Sequence, residues 1–368
     1  MWVLAIVILL ALSFLSYKGQ HTFSHNNGFF GHFGNAIIKN HTPCGRPLRP
    51  LTTNGRIPRL DIQLKAVAVY LLVFLEDFKR PDCVIVGVSF FSSFGAYWML
   101  VALESLRNYS KDRFMSWIAI PGVLIFNHAM AVVSPLYLAI RIAISVPATT
   151  AEDLVVDTTD LKSLPWSFVL GFVLPLIAMA LPAISIRGIN TKHTIAAWYQ
   201  QWNLYIYGCH ILLAAWWRTM DTGPASSRTT LENVQPVYHF AFALVAISFW
   251  LPVIASVLAT AVPSILGKEL SMYLRPRRTL FAPAPWSKVK SAGLHDGATW
   301  ILIWDLYSGG LSTVVWAATV YHQARMGSDS LEPLSALIRR CAGYAVLGGN
   351  MGLATGLFWE RDLLLMGT

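Results

Sequence analysis

Apolar runs long enough to cross a bilayer recur along the whole chain, and that feature decides what it can fold into. Residues 84–103, 114–140, 164–182, 194–217, 237–262, 297–321 and 341–359 each reach the ~20 residues that traverse ~30 Å of hydrocarbon. The charge content agrees, because 13% of the 368 residues are charged and 55% are hydrophobic. A soluble domain carries roughly 25% charged residues, so this chain has no polar shell with which to face water. The expected fold class is all-α, a polytopic integral membrane helical bundle of eight or nine transmembrane helices.

Residues 1–17 open the chain as an apolar anchor without the basic flank and small-residue cleavage site of a secretory signal. Residues 18–61 follow as a polar loop containing Pro47, Pro50 and Pro58, and residues 62–362 form the membrane-embedded domain. Residues 62–75, with Gln63 and Lys65, are either an interfacial amphipathic helix or a short shielded span, so the count stands between eight and nine. The excess of 28 Lys+Arg over 19 Asp+Glu needs no nucleic acid, since basic loops are expected on the cytosolic face. Residues 263–296 hold six of these cations and read either as lying against anionic headgroups or as a topology signal alone. Asn40 and Asn108 stand in N-x-[ST] sequons and are glycosylation candidates only where they reach the lumen. The four scattered cysteines signal neither a zinc site nor a disulfide framework.

Ionisable residues inside apolar spans are functional candidates because charge there is costly. Asp305 is the clearest, with Trp300, Trp304 and Tyr307 at i, i+4 and i+7 making an aromatic stripe that its carboxyl borders. It reads as a proton donor or as a carboxyl hydrogen-bonded for packing. Glu104, Arg107 and Asn108 share one helical face at the end of residues 84–103, as a functional group or an interfacial ion pair. Glu360 and Asp362 close the last span, where such clusters usually mark a helix reaching water. Asp61 reads as a helix N-cap. Aromatic residues, among them Trp98, Trp117, Trp198, Trp202, Trp216, Trp250 and Trp316, lie well inside spans and would suit either packing or a cation-stabilising cavity.

Other chemistries fit less well. His21 and His25 lack the further histidine boxes of a di-iron desaturase, and the run from Glu152 to Asp160 lacks the partner motif of a diphosphate–magnesium site. No Walker loop, nucleophile elbow or dinucleotide fingerprint is present. Neither a metal nor a cofactor is expected.

Several segments in their order resemble the fungal membrane-bound terpene cyclases of the ascofuranone and ascochlorin type. The elements are Asp61, Glu104-Ser105-Leu106-Arg107-Asn108, Pro135-Leu136-Tyr137, Trp304-Asp305 and Trp359-Glu360-Arg361-Asp362. Two positions depart from the pattern: Ile303 stands where a Gln precedes the Trp-Asp pair, and residue 63 is Gln rather than acidic. The resemblance implies acid-initiated cyclisation of a prenyl or epoxyprenyl chain in meroterpenoid biosynthesis, without metal or redox cofactor. It implies Asp305 or Glu104 as the acid, and Glu360 or Asp362 as its partner or terminating base. Trp300, Trp304, Tyr307, Arg107, Asn108 and Tyr137 would bind substrate. A hydrophobic prenylated small molecule, membrane lipid and pathway enzymes sharing the endoplasmic reticulum membrane are the implied partners. The rival readings are a secondary transporter of a lipophilic metabolite, which would show internal repeats, and a haem-binding electron carrier using His128, His210 or His239.

Overall fold

The computed structural model describes residues 2–48, 52–75, 80–110, 118–181, 188–220, 226–327 and 333–367, and no strand occurs among them. Phe114, Trp117, Pro50 and Pro182 of the sequence reading lie outside the described residues. In chain order the main helices are α1 (Trp2–Asn26), α2 (Phe29–Ile38), α3 (Pro58–Leu75), α4 (Pro81–Leu106), α5 (Ala119–His128) and α6 (Met130–Ile144). They continue as α7 (Thr158–Ala180), α8 (Ile189–Trp198), α9 (Trp202–Arg218), α10 (Ser227–Ala261), α11 (Leu294–Met326) and α12 (Leu334–Met366). Five of them, α1, α4, α7, α10 and α11, are long and apolar enough to cross a membrane.

The expectation of eight or nine uninterrupted crossings is corrected by local breaks. Residues 114–140 are split at Ala129, whose φ of +72° no helix can hold, into α5 and α6. Residues 194–217 are split by a 3₁₀ turn, Tyr199–Gln201, between α8 and α9. Residues 341–359 reverse direction at Gly348 and Gly349, the latter with φ +59°. In a continuous helix Arg340 and Glu360 would stand ~30 Å apart; here they form a 2.7 Å ion pair, and Tyr344 packs over Gly356. α12 is thus a helical hairpin whose turn is bought by two glycines.

The polar loop expected over residues 18–61 is also largely helical. α1 runs on through a π turn, Lys18–Thr22, to Asn26, and α2 follows. Asp61 does not cap its own helix. Buried in the first turn of α3, it accepts from the Thr53 backbone N–H (2.5 Å), the Thr53 hydroxyl (2.8 Å) and the Gly55 N–H (3.0 Å), and so ties down the preceding loop. Residues 263–296 contain three short helices, Pro263–Leu266, Lys268–Tyr273 and Pro276–Thr279, before α11 begins.

An aromatic core joins α4, α7 and α9, where Trp98 and Trp202 meet edge to face at 4.6 Å and Phe94 stacks beside them. A second π turn, Val169–Val173 in α7, lies against α9 at Gly171, where an added Cβ would stand 2.5 Å from the backbone nitrogen of Ile206. Gly171→Ala is therefore expected to destabilise by about 1–3 kcal/mol. Gly208→Ala on α9, with no atom within 4 Å of the new methyl, should be neutral or better. Melting temperatures of the two variants in detergent check this; equal values would mean the α7–α9 contact is not tight.

Candidate active site

Three irregularities in the helices converge on one cavity of about 330 Å³. Gln20 and His21 come from the π turn of α1, Phe172 from the π turn of α7, and Ala129 from the break between α5 and α6. π turns and strained backbone recur at functional sites because the surrounding fold must hold them in place. The deep wall is aromatic: Phe29, Phe91, Phe94 and Phe172 are buried there, and Tyr70 of α3 completes it. The mouth is polar, with Gln63 donating to Asn127 at 2.8 Å beside the exposed His128. Among the described residues no tryptophan lines this cavity; Trp98, Trp202 and Trp316 are packing residues.

Asp305 is the carboxyl on the wall. Its Oδ1 accepts the backbone N–H of Ala131 at 2.6 Å and the side-chain amide of Gln20 at 2.9 Å. The break at Ala129 leaves the first N–H groups of α6 without intrahelical partners, and Asp305 supplies one from another helix. Gln20 is itself oriented by a second bond, Nε2 to the Ile301 carbonyl at 3.0 Å. Gln20, 285 residues before Asp305, thus supplies this carboxyl with an amide donor that Ile303 does not. Gln20 Oε1 is buried without a partner among the described residues, which costs about 1–3 kcal/mol unless a bound donor meets it. Among the described residues no cation contacts Asp305, and its carboxyl is held there by neutral donors.

The aromatic stripe on α11 faces elsewhere, a correction to the expected substrate pocket. Trp300 stacks towards Phe23 (5.8 Å), Trp304 covers Gly19, and the Tyr307 hydroxyl donates to the Leu280 carbonyl (2.8 Å). At 100° per residue Ile301, Leu302 and Asp305 take the opposite face, and these three line the cavity.

Glu104 and Asp362 lie outside the cavity, in a buried ion network that joins the ends of α4 and α12. Arg361 binds both Glu104 oxygens at 2.7 Å and Asp362 Oδ1 at 2.7 Å. Arg107 pairs with Asp362, with Glu104 (3.3 Å) and with the Leu154 carbonyl (2.7 Å). Hydroxyls complete the network, Tyr109 to Glu104 at 2.6 Å and Tyr238 to Asp362 at 2.9 Å. Arg141 extends it to Tyr137 (3.3 Å) and lies over the Trp316 ring at 5.0 Å. Every carboxylate oxygen here has a cationic partner, the condition under which buried charge is tolerated. Glu360 points to the other side of α12, held by Arg340 and Tyr344, each at 2.7 Å. Of the expected acid–base pairings only Glu104 with Asp362 is brought together, through Arg361 and Arg107, while Asp305 and Glu360 each stand apart from that network.

Asn108 donates to the Glu152 carbonyl (3.1 Å) and Asn40 accepts from Lys65 (2.6 Å), so both sequon amides are engaged in the fold. The acidic run after Thr150 is spent locally: Asp153 accepts two backbone N–H groups at 2.9 Å and Asp157 caps α7. His210 lies 3.4 Å from Asp160, and His128 lies at the cavity mouth. Among the described residues no group of three His, Cys, Asp or Glu side chains could hold a metal ion.

Sequence reasoning missed Gln20, Tyr70 and the phenylalanines of the wall, because nothing in their spacing separates them from packing residues. Arg141 and Arg361 could have been found, since a guanidinium close to an apolar span demands a buried partner just as a carboxylate does.

The model of the CtvD domain family matches residues 4–366. Among curated proteins the chain is 23% identical over 361 residues to the terpene cyclase atmA of Aspergillus flavus, covering 96% of each. It is 24% identical to the terpene cyclase ctvD of Aspergillus terreus, covering 98% of this chain and 99% of that one. To the terpene cyclase ascI of Acremonium egyptiacum it is 26% identical, over 73% of this chain and 68% of the relative. No solved structure matches.

Removing one member of the ion network leaves its partners buried and uncompensated. Glu104→Gln is expected to destabilise by about 3–5 kcal/mol, seen as a lower melting temperature and a smaller monodisperse fraction on size exclusion. A Glu104→Gln protein as stable as its parent would show that the network does not hold these helix ends together.

Proposed function

This chain belongs to the CtvD domain family, and from that premise we propose that it is a membrane-bound terpene cyclase whose general acid is Asp305. The observation that carries the assignment is the position of that carboxyl, alone among neutral donors on the wall of an aromatic cavity. The alternatives Glu104 and Asp362 are neutralised by arginines, and Glu360 faces away. An acid that must give up a proton cannot also be a permanent counter-ion.

In the proposed reaction the prenyl chain of a hydrophobic substrate fills the cavity with its reacting end at Asp305. The protonated carboxyl transfers its proton to an epoxide oxygen or a terminal alkene carbon. With an epoxide, the bond from oxygen to the more substituted carbon breaks, and a neighbouring alkene supplies the electron pair for the new carbon–carbon bond. Hydrogen bonds from Ala131 and Gln20 are in place on Oδ1 to hold the negative charge left on Asp305. Positive charge moves along the chain past the faces of Phe91, Phe94 and Phe172, each worth ~0.5–2 kcal/mol to a desolvated cation. The apolar wall keeps water from capturing it. A proton lost from the last cation leaves through the polar mouth by His128, so the reaction is an isomerisation with protons in balance. The location belongs to the same proposal: a multi-pass protein of the endoplasmic reticulum membrane, with pathway enzymes beside it.

The test is a product assay on microsomes carrying the full chain, offered epoxyfarnesyl-aryl substrates without metal or nucleotide. A new peak of unchanged mass is expected, and Asp305→Asn should lower its rate by roughly 10²–10⁴ while the protein stays membrane-inserted. Undiminished rate in Asp305→Asn would remove this residue as the acid, and substrate moved but never isomerised would favour a transporter.

A further inference from the structure

A second cavity, of about 550 Å³, lies on the opposite side of α11 and shares no lining residue with the first. Asp296, Thr299 and Trp300 face it, whereas Ile301, Leu302 and Asp305 face the aromatic cavity one helical half-turn away. It is a basin of arginines. Arg80, Arg275, Arg277 and Arg278 line it together with two carboxylates, Asp82 and Asp296.

The charges in the basin are unequally matched. Arg80 is held rigidly between Asp82 (2.9 Å) and Asp296 (2.7 Å), which ties the first turn of α4 to the first turn of α11. Arg278 approaches the same two carboxylates at 3.6 and 3.9 Å. Arg80 and Arg278 also both lie over the Tyr273 ring, at 5.2 and 5.3 Å, which positions their guanidinium groups. The two carboxylates are thus neutralised by two arginines. Arg275 and Arg277 remain, exposed and with no acidic partner among the described residues. Two surplus guanidinium groups beside two positioned ones match a phosphate, which accepts forked N–H pairs from several directions.

The rim is apolar. Met272, Phe281 and Val289 line the basin and are exposed, and Trp286 beside them is 79% exposed. The basin opens where two helices long and apolar enough to cross a membrane begin, and the start of such a helix is where a span meets the headgroup layer. A free phosphate needs no apolar collar; an amphiphile does. We propose that this basin binds the phosphate headgroup of an anionic membrane lipid, with Arg275 and Arg277 as its charge-bearing contacts and the Met272–Phe281–Val289 rim against its chains. The site does not depend on the cyclase reading, since no cavity residue takes part in it. It places this end of the bundle in the anionic leaflet, which for most cell membranes is the cytosolic one.

The full chain, purified in a neutral detergent, is titrated with short-chain phosphatidic acid, short-chain phosphatidylcholine and inorganic phosphate. Retention is read by native mass spectrometry and stabilisation by the melting temperature. Phosphatidic acid should be retained at least ten-fold more strongly than phosphatidylcholine, and Arg275→Ala/Arg277→Ala should weaken it by roughly 30-fold. Arg275→Lys/Arg277→Lys, which keeps the charge but loses the forked N–H pairs, should bind between the parent and the alanine double variant, and Arg228→Ala at the far end of the bundle should change nothing. Because the two arginines are exposed, all variants should melt with the parent in the absence of lipid. Equal retention of the two lipids, or unchanged phosphatidic acid binding in the alanine double variant, would overturn the site. Stabilisation by inorganic phosphate equal to that by phosphatidic acid would overturn the lipid as its occupant.

Discussion

An amide N–H without a partner in hydrocarbon is worth several kcal/mol, so each break in a membrane-embedded helix must be answered by something else. The bond from Ala131 N–H to Asp305 is the answer at the most consequential break. It lets α6 begin in mid-bundle after the strained residue Ala129, and it fixes in one orientation the carboxyl that, among the described residues, alone faces the aromatic cavity. Gln20 adds a second bond from α1, so three helices distant in sequence meet at one oxygen atom. The cavity exists because the chain is irregular here: a straight α5–α6 helix, or α1 and α7 without their π turns, would carry these side chains to other angles.

The two buried acidic sites solve the same desolvation problem in different ways. Around Glu104 and Asp362 the solution is full compensation by Arg107 and Arg361, with tyrosine hydroxyls filling the remaining acceptor positions. Such an arrangement gives every carboxylate oxygen a cationic partner and locks α4 to α12. Around Asp305 the donors are an amide and a backbone N–H, with no guanidinium among the described residues. The difference between the two sites lies in the partner, not in the depth of burial, since Asp305, Glu104 and Asp362 are all buried.

Aromatic residues divide in the same manner. Tryptophans fill the thick parts of the helix interfaces, as in the Trp98–Trp202 and Trp316–Phe358 pairs at 4.6 Å. Phenylalanines, which carry no N–H to satisfy, face the cavity. A cavity that hosts a migrating positive charge needs aromatic faces without competing hydrogen-bonding groups, and this arrangement supplies them.

The medium, the helical class and the individual acidic elements were readable from the chain. Apolar runs of sufficient length have one solution in lipid, and a carboxyl such as Asp305 within such a run is costly enough to stand out by composition alone. The Glu104, Trp304-Asp305 and terminal Glu360-Arg361-Asp362 elements were legible for that reason, and their order pointed to the family. Their grouping was not. Periodicity describes one helix at a time, so it joined Asp305 to Trp300, Trp304 and Tyr307, which share its helix but not its face. It also read residues 341–359 as one crossing, because hydropathy does not register a reversal made by two glycines. Which acid is paired with arginine, which is paired with Gln20, and which aromatic side chains surround it depend on contacts between segments hundreds of residues apart. Only the packing of the helices, and the breaks it tolerates, settled them.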